Sequence, residues 1–149
     1  MNTVEINRLL RARCRNIFLG VFSCDRLPKT LPPRRPLMMV CNTDPHDRPG
    51  EHWVVLYIGK NGVGEYFDSL KQQPPRVFKN YLNKWTSNFK TNSRQLQSAA
   101  SHFCGQYSVF YCLFRSLGYS LRAIDSCFTE DQGANDVMVH ALICRMSRY

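Results

Sequence analysis

The chain of 149 residues is 44% hydrophobic and 21% charged, which is ordinary for one globular domain, here residues 1–149, with a core of its own. No stretch approaches a membrane span and residues 1–30 lack the apolar centre of a signal peptide, so membrane contact is not expected. The net charge of +9 indicates an anionic partner such as nucleic acid, although a solvated basic surface has the same composition.

The N-terminal part of the sequence predicts a helix followed by extended segments. Asn2 can cap the helix, and Glu5 three positions later completes a capping box. Residues 16–22 are extended or turn-like, and the proline-rich residues 27–36 are expected to run over the surface because proline cannot donate to a sheet. Residues 36–41 form a continuous apolar run, which is typical of a strand buried on both faces.

The middle of the sequence predicts a β-hairpin and then a helix. Trp53–Ile58 has the strongest strand pattern, Asn61–Gly62 is a turn signal, and Gly64–Asp68 follows as the partner strand. Two prolines then open a helix whose apolar residues recur at four-residue steps up to Trp85.

The remaining sequence predicts three further helical segments. Residues 94–97 have room for a short strand, and a buried helix is expected from Cys104 to the stop signal at Gly118. Its apolar positions, at three- and four-residue steps, are Tyr107, Phe110, Tyr111 and Phe114. Ser120 can cap a short segment, and a last helix is predicted over residues 135–146.

Basic residues concentrate in two parts of the sequence. Three fall at helical spacing near the N-terminus, on one face if the first helix extends that far, and the others cluster between Lys71 and Arg94. Both groups are candidate DNA contacts, or simply solvated faces. The candidates are Arg8, Arg11, Arg15, Lys71, Arg76, Lys79, Lys84 and Lys90.

Seven cysteines are present, an odd number, without a CxxC pair or a spacing that is typical of a zinc site, so no metal is expected. Cys41, Cys112 and Cys144 lie inside apolar runs and are predicted to be buried. This usage fits a reducing compartment better than an exported disulfide scaffold.

Cys104 is the candidate nucleophile because it stands where the buried helix begins. The positive end of a helix dipole favours thiolate and lowers the pKa of a thiol. The alternative is that Cys104 is a small core residue, which is the usual fate of a free cysteine.

A cysteine nucleophile needs a histidine base, and the sequence has four candidates. His46 lies in a proline-bearing loop, His102 would face away from Cys104 on a helix, and His140 lies on the last helix. His52 stands where a loop enters the strongest strand, which is a rigid mount with an open side. His52 is therefore the preferred base.

An acid and an oxyanion donor complete the candidate site. If the two hairpin strands pair, His52 and Asp68 lie at the same edge, where Asp68 can accept the second N–H of His52. Gln97 and the Cys104 backbone N–H are the candidate oxyanion donors. Alone, Asp68 is a carboxylate facing water and Gln97 a loop residue, but four roles in a consistent order favour catalysis.

The ordered motifs resemble those of the adenovirus protease (adenain) and SUMO-specific protease clan. The matching motifs are His52-Trp53, Tyr66-Phe67-Asp68-Ser69-Leu70, Gln97 and Cys104-Gly105. The likeness to adenain extends to Phe18-Leu19-Gly20, to residues 40–43 and to Gln97-Ser-Ala-Ala, and it covers residues 14–118.

The resemblance implies an α+β, papain-like/adenain-like cysteine protease fold, with a central mixed sheet packed against the helix that bears the nucleophile. In that fold Cys104 is the nucleophile, His52 the general base and acid, and Asp68 orients His52. Gln97 and the Cys104 amide form the oxyanion hole, without a metal or other cofactor. Trp53 either walls the substrate groove or belongs to the core, and Gly105 lets the substrate approach closely.

The function that the resemblance implies is a cysteine endopeptidase for virion maturation. Such enzymes cleave viral precursor proteins of the capsid or core after small residues, at Gly-Gly or Gly-Xaa sites, in the host nucleus and virion. DNA and a viral peptide are the expected activators. One alternative is an isopeptidase that removes a SUMO/ubiquitin-like modifier, and another is a non-catalytic DNA-binding virion component.

Compact versions that resemble this chain occur in adenovirus-related viruses and virus-like DNA transposons, and three features of the sequence depart from adenain. Asp68 stands where adenain has Glu, as in the SUMO-protease branch. Residues 69–103 contain no cysteine, so an activating peptide would bind without the disulfide that adenain makes. The chain is also shorter towards its C-terminus.

Overall fold

The computed structural model describes residues 1–147, which form one five-stranded sheet with helices on both faces. The strands are β1 (Phe18–Ser23), β2 (Leu37–Asn42), β3 (Trp53–Ile58), β4 (Val63–Phe67) and β5 (Asn88–Thr91). The helices are α1 (Thr3–Arg13), α2 (Arg76–Trp85), α3 (Cys104–Ser116), α4 (Leu121–Asp125) and α5 (Gln132–Ser147).

The sheet is mixed, with its strands in the order β1-β2-β3-β4-β5. The outer pairs β1–β2 and β4–β5 are parallel, and the inner pairs β2–β3 and β3–β4 are antiparallel. Helix α3 packs across the central strand β3. The predicted α+β fold, with a mixed sheet packed against the helix that begins with Cys104, is therefore confirmed.

Two hydrophobic clusters lie on opposite faces of the sheet. One joins the sheet to α1, α3 and α5, and the other joins it to α2 through Phe78 and Leu82. Strand β3 serves both clusters, because Val55 faces the first and Leu56 the second, as the two-residue period of a strand requires. Residues 105–113 of α3 are all buried, since the sheet, α1 and α5 surround that helix.

Helix α1 begins with the predicted capping box. Asn2 Oδ1 accepts from the Glu5 N–H at 3.0 Å, and a Glu5 carboxylate oxygen accepts from the Asn2 N–H at 2.9 Å. The helix ends at Arg13, because the following chain turns into β1. The shared face of Arg8, Arg11 and Arg15 was expected only if the helix extended that far, and it ends before Arg15.

Two predictions are wrong. The short strand lies at residues 88–91, and residues 94–97 are irregular because the backbone N–H groups of Leu96 and Gln97 both donate to the Ser69 carbonyl. Cys144 is exposed, while Cys41 and Cys112 are buried as predicted. The reason is that α5 turns its neighbour Ile143 towards the core, so position 144 points outward.

Candidate active site

Cys104 is the first residue of α3 and lies half-buried at the sheet edge where β3 begins and β4 ends. Phe103 precedes it at the cap position and provides no side-chain hydrogen bond to the helix. The first-turn N–H groups of a helix need acceptors, and here no side-chain cap supplies one. The sulfur of Cys104 thus stands at the positive end of a 13-residue helix.

His52 and Asp68 lie next to this helix end on adjacent antiparallel strands. His52 comes directly before β3 and Asp68 directly after β4, and Val55 pairs with Phe67 between them. Both side chains are buried, and His52 Nε2 is 2.6 Å from Asp68 Oδ1. The hairpin therefore brings the two residues together as the sequence predicted.

Main-chain donors fix the Asp68 carboxylate. Oδ1 also accepts from the Leu70 N–H at 2.8 Å, and Oδ2 accepts from the Gln72 N–H at 3.1 Å. Because both oxygens act as acceptors, Nε2 of His52 carries the proton that binds Asp68. The remaining ring nitrogen, Nδ1, is then left for the Cys104 thiol, whose pKa is lowered by interaction with His52.

The surroundings favour a charged thiolate–imidazolium pair. Burial lowers the pKa of His52, but hydrogen bonds and charge attraction from Asp68 and Cys104 outweigh it and raise that pKa to about 9. Burial raises the pKa of Cys104, but hydrogen bonds from His52 and from the Trp53 and Gly105 backbones hold it below its ordinary value. Both shifts favour the thiolate, which is the nucleophilic form of the sulfur.

Gln97 lies buried beside the same groove, with its amide orientation set by two partners. Its Oε1 accepts from the Ser69 hydroxyl at 2.7 Å, and its Nε2 donates to the Ser101 carbonyl at 2.9 Å. Within residues 1–147 this is the one acceptor that Nε2 has, so a second N–H is left for a ligand. This N–H and the Cys104 amide are the donors available to an oxyanion.

A groove of about 640 Å³ runs past these side chains. Trp53 lines it and also packs against the core, so the two alternatives for that residue coexist. Gly105 does not line the groove. A Cβ on Gly105 would meet Met1 Cβ at 3.0 Å and Trp53 Cδ1 at 3.2 Å, so the glycine accommodates the chain itself where substrate approach was predicted.

The other three histidines have different surroundings. His46 is exposed and forms an ion pair with Asp25 at 2.5 Å. His102 is exposed at the rim of the groove, and His140 is exposed and stacks on the Phe103 ring with centroids 4.7 Å apart. The buried carboxylate partner belongs to His52.

The candidate DNA contacts lie outside the groove and on different layers. Arg8, Arg11 and Arg15 are exposed on or just after α1, whereas α2 presents its exposed cations on the opposite face of the sheet. Those on α2 are Arg76, Lys79 and Lys84. Lys90 is exposed on the edge strand β5, and Lys71 is partly buried and donates to the Thr91 hydroxyl.

One buried residue at the site, Asn92, was not predicted. Its amide bonds both the N–H and the C=O of Asp68. It lies 24 residues from Asp68 in a polar stretch, where periodicity carries no signal. Within residues 1–147, no group of three His, Cys, Asp or Glu side chains is placed to hold a metal ion, and no helix there has the length and apolarity to cross a membrane.

The mixed sheet packed on a buried helix that begins with a cysteine is an architecture that this chain shares with solved structures. The ASFV pS273R protease superposes with a TM-score of 0.64 at 20% identity, covering 94% of this chain. The chain spans 66% of the length of that protease.

Two bacterial proteins share the architecture. The central domain of the uncharacterized Lpg1148 protein from Legionella pneumophila matches with a TM-score of 0.57 at 12% identity, over 99% of this chain and 96% of that one. ChlaDub1 from Chlamydia trachomatis matches with a TM-score of 0.51 at 15% identity, over 76% of this chain and 60% of that one. No family model and no curated protein matches the sequence. At these identities the likeness establishes the fold.

Proposed function

We propose that this protein is a cysteine peptidase in which Cys104 is the nucleophile and His52 the general base and acid. The observation that carries the proposal is the buried His52–Asp68 pair, 2.6 Å between Nε2 and Oδ1, beside the thiol that begins α3. Burying an imidazole costs free energy if one ring nitrogen lacks a partner. Here the carboxylate binds one nitrogen, which leaves the second to exchange a proton with the thiol. The fold shared with a viral protease supports the same class.

The chemical steps follow from the positions of these groups. The Cys104 thiolate attacks the carbonyl carbon of the scissile amide, and the carbonyl oxygen becomes an oxyanion that accepts from Gln97 Nε2 and the Cys104 N–H. His52 Nδ1 gives its proton to the departing amine, which leaves a thioester on Cys104. His52 then takes a proton from water, the resulting hydroxide attacks the thioester, and the acid product departs as the thiolate re-forms.

For the substrate, we propose viral precursor polypeptides that are cut after small residues, at Gly-Gly or Gly-Xaa sites, in the host nucleus and virion. This rests on the resemblance of the motifs around His52, Gln97 and Cys104 to adenain. The likeness of fold to ChlaDub1, a deubiquitinase, keeps an isopeptidase for a SUMO/ubiquitin-like modifier as the second candidate. Both reactions use the same four groups and differ in what docks beside the groove.

A peptide library read by mass spectrometry tests the proposal. The purified chain is incubated with the library, with SUMO and ubiquitin carrying C-terminal extensions, and in parallel as Cys104→Ala. Cleavage after small residues in peptides supports the endopeptidase, and trimming of the modifiers alone supports the isopeptidase. If the wild-type chain and Cys104→Ala are equally inert on both substrate sets, the peptidase proposal fails and the non-catalytic virion component replaces it.

We further propose that DNA binds the α2 surface, defined as Arg76, Lys79 and Lys84, without sequence preference. No acidic residue occurs in the sequence between Asp68 and Asp125, so nothing on α2 or next to it in the chain neutralises these exposed cations. The α1 cations lie on the other face of the sheet and have the acidic Glu5 near them. A single DNA duplex can therefore contact the α1 cations or the α2 surface, but not both at once. An activating viral peptide, if it binds, does so without the adenain disulfide.

A further inference from the structure

Asn92 lies directly after β5 and is completely buried. The parallel β4–β5 pairing ends at Tyr66 and Thr91, and Asn92 follows directly. At this point the Asp68 main chain no longer pairs with β5. The Asn92 side chain supplies the hydrogen bonds that a paired strand would otherwise make to Asp68. Its Oδ1 accepts from the Asp68 N–H at 3.0 Å, and its Nδ2 donates to the Asp68 C=O at 2.8 Å.

These two bonds bear on the direction of the Asp68 carboxylate. The Leu70 and Gln72 N–H groups hold the carboxylate relative to the turn that follows β4, but they do not hold the turn relative to the sheet. Asn92 does so, because it bonds the main chain of Asp68 on both sides of its Cα. His52 is carried by β3 in the same sheet, so the 2.6 Å contact between the two side chains depends on that attachment.

Asn92 is itself held from the opposite side. Its Nδ2 also donates to the Arg94 C=O at 2.9 Å, and the neighbouring Ser93 N–H donates to Asp125 Oδ2 at 2.7 Å. Arg94 Nη2 then donates to the Phe128 C=O at 2.7 Å. The segment from Asn92 to Arg94 is thereby fixed to α4 and the turn after it, which gives the Asn92 amide a rigid mount.

We propose that Asn92 is a positioning residue that acts through Asp68 on the protonation of His52 and Cys104. Asn92 touches neither the thiol nor the groove, and its effect passes through the Asp68 main chain. The inference rests on the proposed function only in taking His52, Asp68 and Cys104 as the catalytic unit. The proposal can therefore be tested by the alkylation rate of the Cys104 thiol as well as by the rate of peptide cleavage.

The test is the pH profile of Cys104 alkylation by iodoacetamide, followed by mass spectrometry in the wild-type chain and in Asn92→Ala. Without the amide, the carboxylate no longer stays on Nε2, the pKa of His52 falls from about 9, and the thiolate loses its cation. The acid limb of the profile should move to higher pH by about one unit, which slows alkylation below the limb about tenfold. Peptidase kcat should fall with KM nearly unchanged.

Asn135→Ala is the matched control. Asn135 is also a buried amide that bonds the main chain of one residue on both sides of its Cα. It accepts from the Thr129 N–H at 2.9 Å and donates to the Thr129 C=O at 2.9 Å. Its loss should destabilise the fold comparably and leave the alkylation profile in place. An equal shift in both variants, or none in Asn92→Ala, would overturn the proposal.

A double-mutant cycle gives an independent decision. On an Asp68→Ala background the Asn92 substitution should add nothing to the profile, whereas additive effects would mean that Asn92 acts by another route. If Asn92→Ala does not fold, Asn92→Asp replaces it in the same cycle, because it keeps the volume and the acceptor but removes both donated bonds. If the wild-type chain cuts no peptide, the proposed function fails while the alkylation profiles still decide the role of Asn92.

Discussion

Helix α3 is tied to the sheet by buried charged groups at both ends, and the two sites differ in what their charges can do. At its start, Cys104 meets His52 and Asp68. Towards its end, Arg115 donates to both carboxylate oxygens of Glu65 at 3.1 and 3.0 Å, and the Tyr111 hydroxyl donates to the same carboxylate. Both sites are buried, and both use a carboxylate from β4 or the residue after it.

We call the second site closed because its charged groups are paired within the chain, although Glu65 and Arg115 also line a groove of about 630 Å³. We call the first site open because donors there are left for a ligand. Arg115 also donates to the Tyr119 C=O at 2.6 Å and lies over the Tyr57 ring at 4.0 Å from its centroid, so its donors are used within the chain. Burial raises the pKa of Tyr111 well above 10.0, so its hydroxyl stays protonated across the physiological range. His52 and Cys104, by contrast, face a groove, and each shifts the pKa of the other towards the charged pair. This difference is why we propose the open site, and not the closed one, as the catalytic site.

The largest expected effect is the loss of catalysis at the open site. Cys104→Ala and His52→Ala should each reduce kcat/KM by about 10³-fold or more, and the double variant by no more than either, because the pair acts as a unit. Stability should change by less than about 1 kcal/mol in Cys104→Ala, since one half-buried sulfur is removed. Peptide hydrolysis and denaturant melts provide the measurements. Activity that survives His52→Ala but not His140→Ala would contradict the choice of histidine.

The closed site should show the reverse pattern. Glu65→Ala leaves the half-buried Arg115 without its carboxylate partner, so we expect a loss of about 1–3 kcal/mol in the free energy of unfolding. Activity per folded molecule should stay within about threefold of wild type, because Glu65 lies at the far end of α3. Urea titration together with active-site titration by an electrophile separates the two quantities. A thousandfold loss of turnover in a folded Glu65→Ala protein would erase the distinction between the two sites.

Asp68→Ala should have an intermediate effect on the open site. His52 keeps its place before β3 but loses its preferred tautomer, so we expect kcat to fall by about 10- to 10²-fold with KM little changed. Asp68→Asn is the matched control of equal volume, and it should be no better than Ala because the charge is absent. Wild-type turnover in Asp68→Asn would show that the carboxylate serves only the turn after β4.

The pH dependence sharpens the contrast further. Activity needs the Cys104 thiolate and the His52 imidazolium, so the profile should be bell-shaped with an alkaline limb near pH 9, where His52 loses its proton. The folded pKa of His52 is raised, so its stabilising contribution is complete below about pH 6.5 and is lost as pH rises through about 9. Rate and melting profiles from pH 5 to 10 check both limbs. A rate that climbs steadily beyond pH 9 would mean that His52 acts only as a neutral base.

Selective alkylation provides a comparison between two thiols of the same chain. Cys144 is exposed, with His140 Nε2 at 3.6 Å from its sulfur. His140 stacks on the Phe103 ring, whereas His52 is bonded to a buried carboxylate. Iodoacetamide at pH about 6.5 should therefore modify half-buried Cys104 before exposed Cys144, despite the difference in access. Peptide mapping over time gives the order. Equal rates at the two positions would remove the special character of Cys104.

The smallest expected effect concerns the α2 surface. Duplex DNA affinity should fall with salt, with a log–log slope of about −0.9 per phosphate contacted. Arg76→Glu with Lys79→Glu should flatten that slope by about two contacts, while Arg8→Glu with Arg15→Glu on the opposite face should leave it unchanged. Fluorescence anisotropy of labelled DNA at about 25 to 200 mM salt, where affinity depends strongly on salt, compares the two pairs of variants. Equal flattening by both pairs would indicate a diffuse positive surface.

The sequence by itself determined the local elements and the order of the catalytic groups. Apolar periodicity marked β2, β3 and α3, the capping box marked α1, and the hairpin signal put His52 and Asp68 at one edge because its turn sets the register. Those signals are local. They fail where packing decides, as for Cys144, which is exposed although its neighbour Ile143 on α5 is buried.

The tertiary structure decided which residues support the site. Asn92 and Gln97 reach Asp68 and Ser69 across 24 and 28 residues of sequence, and no periodicity encodes such contacts. The same holds for Gly105, whose missing side chain makes room for Trp53 and Met1. Side-chain bonds to a distant main chain depend on the sheet being formed first, so they can be read only once the strands are paired.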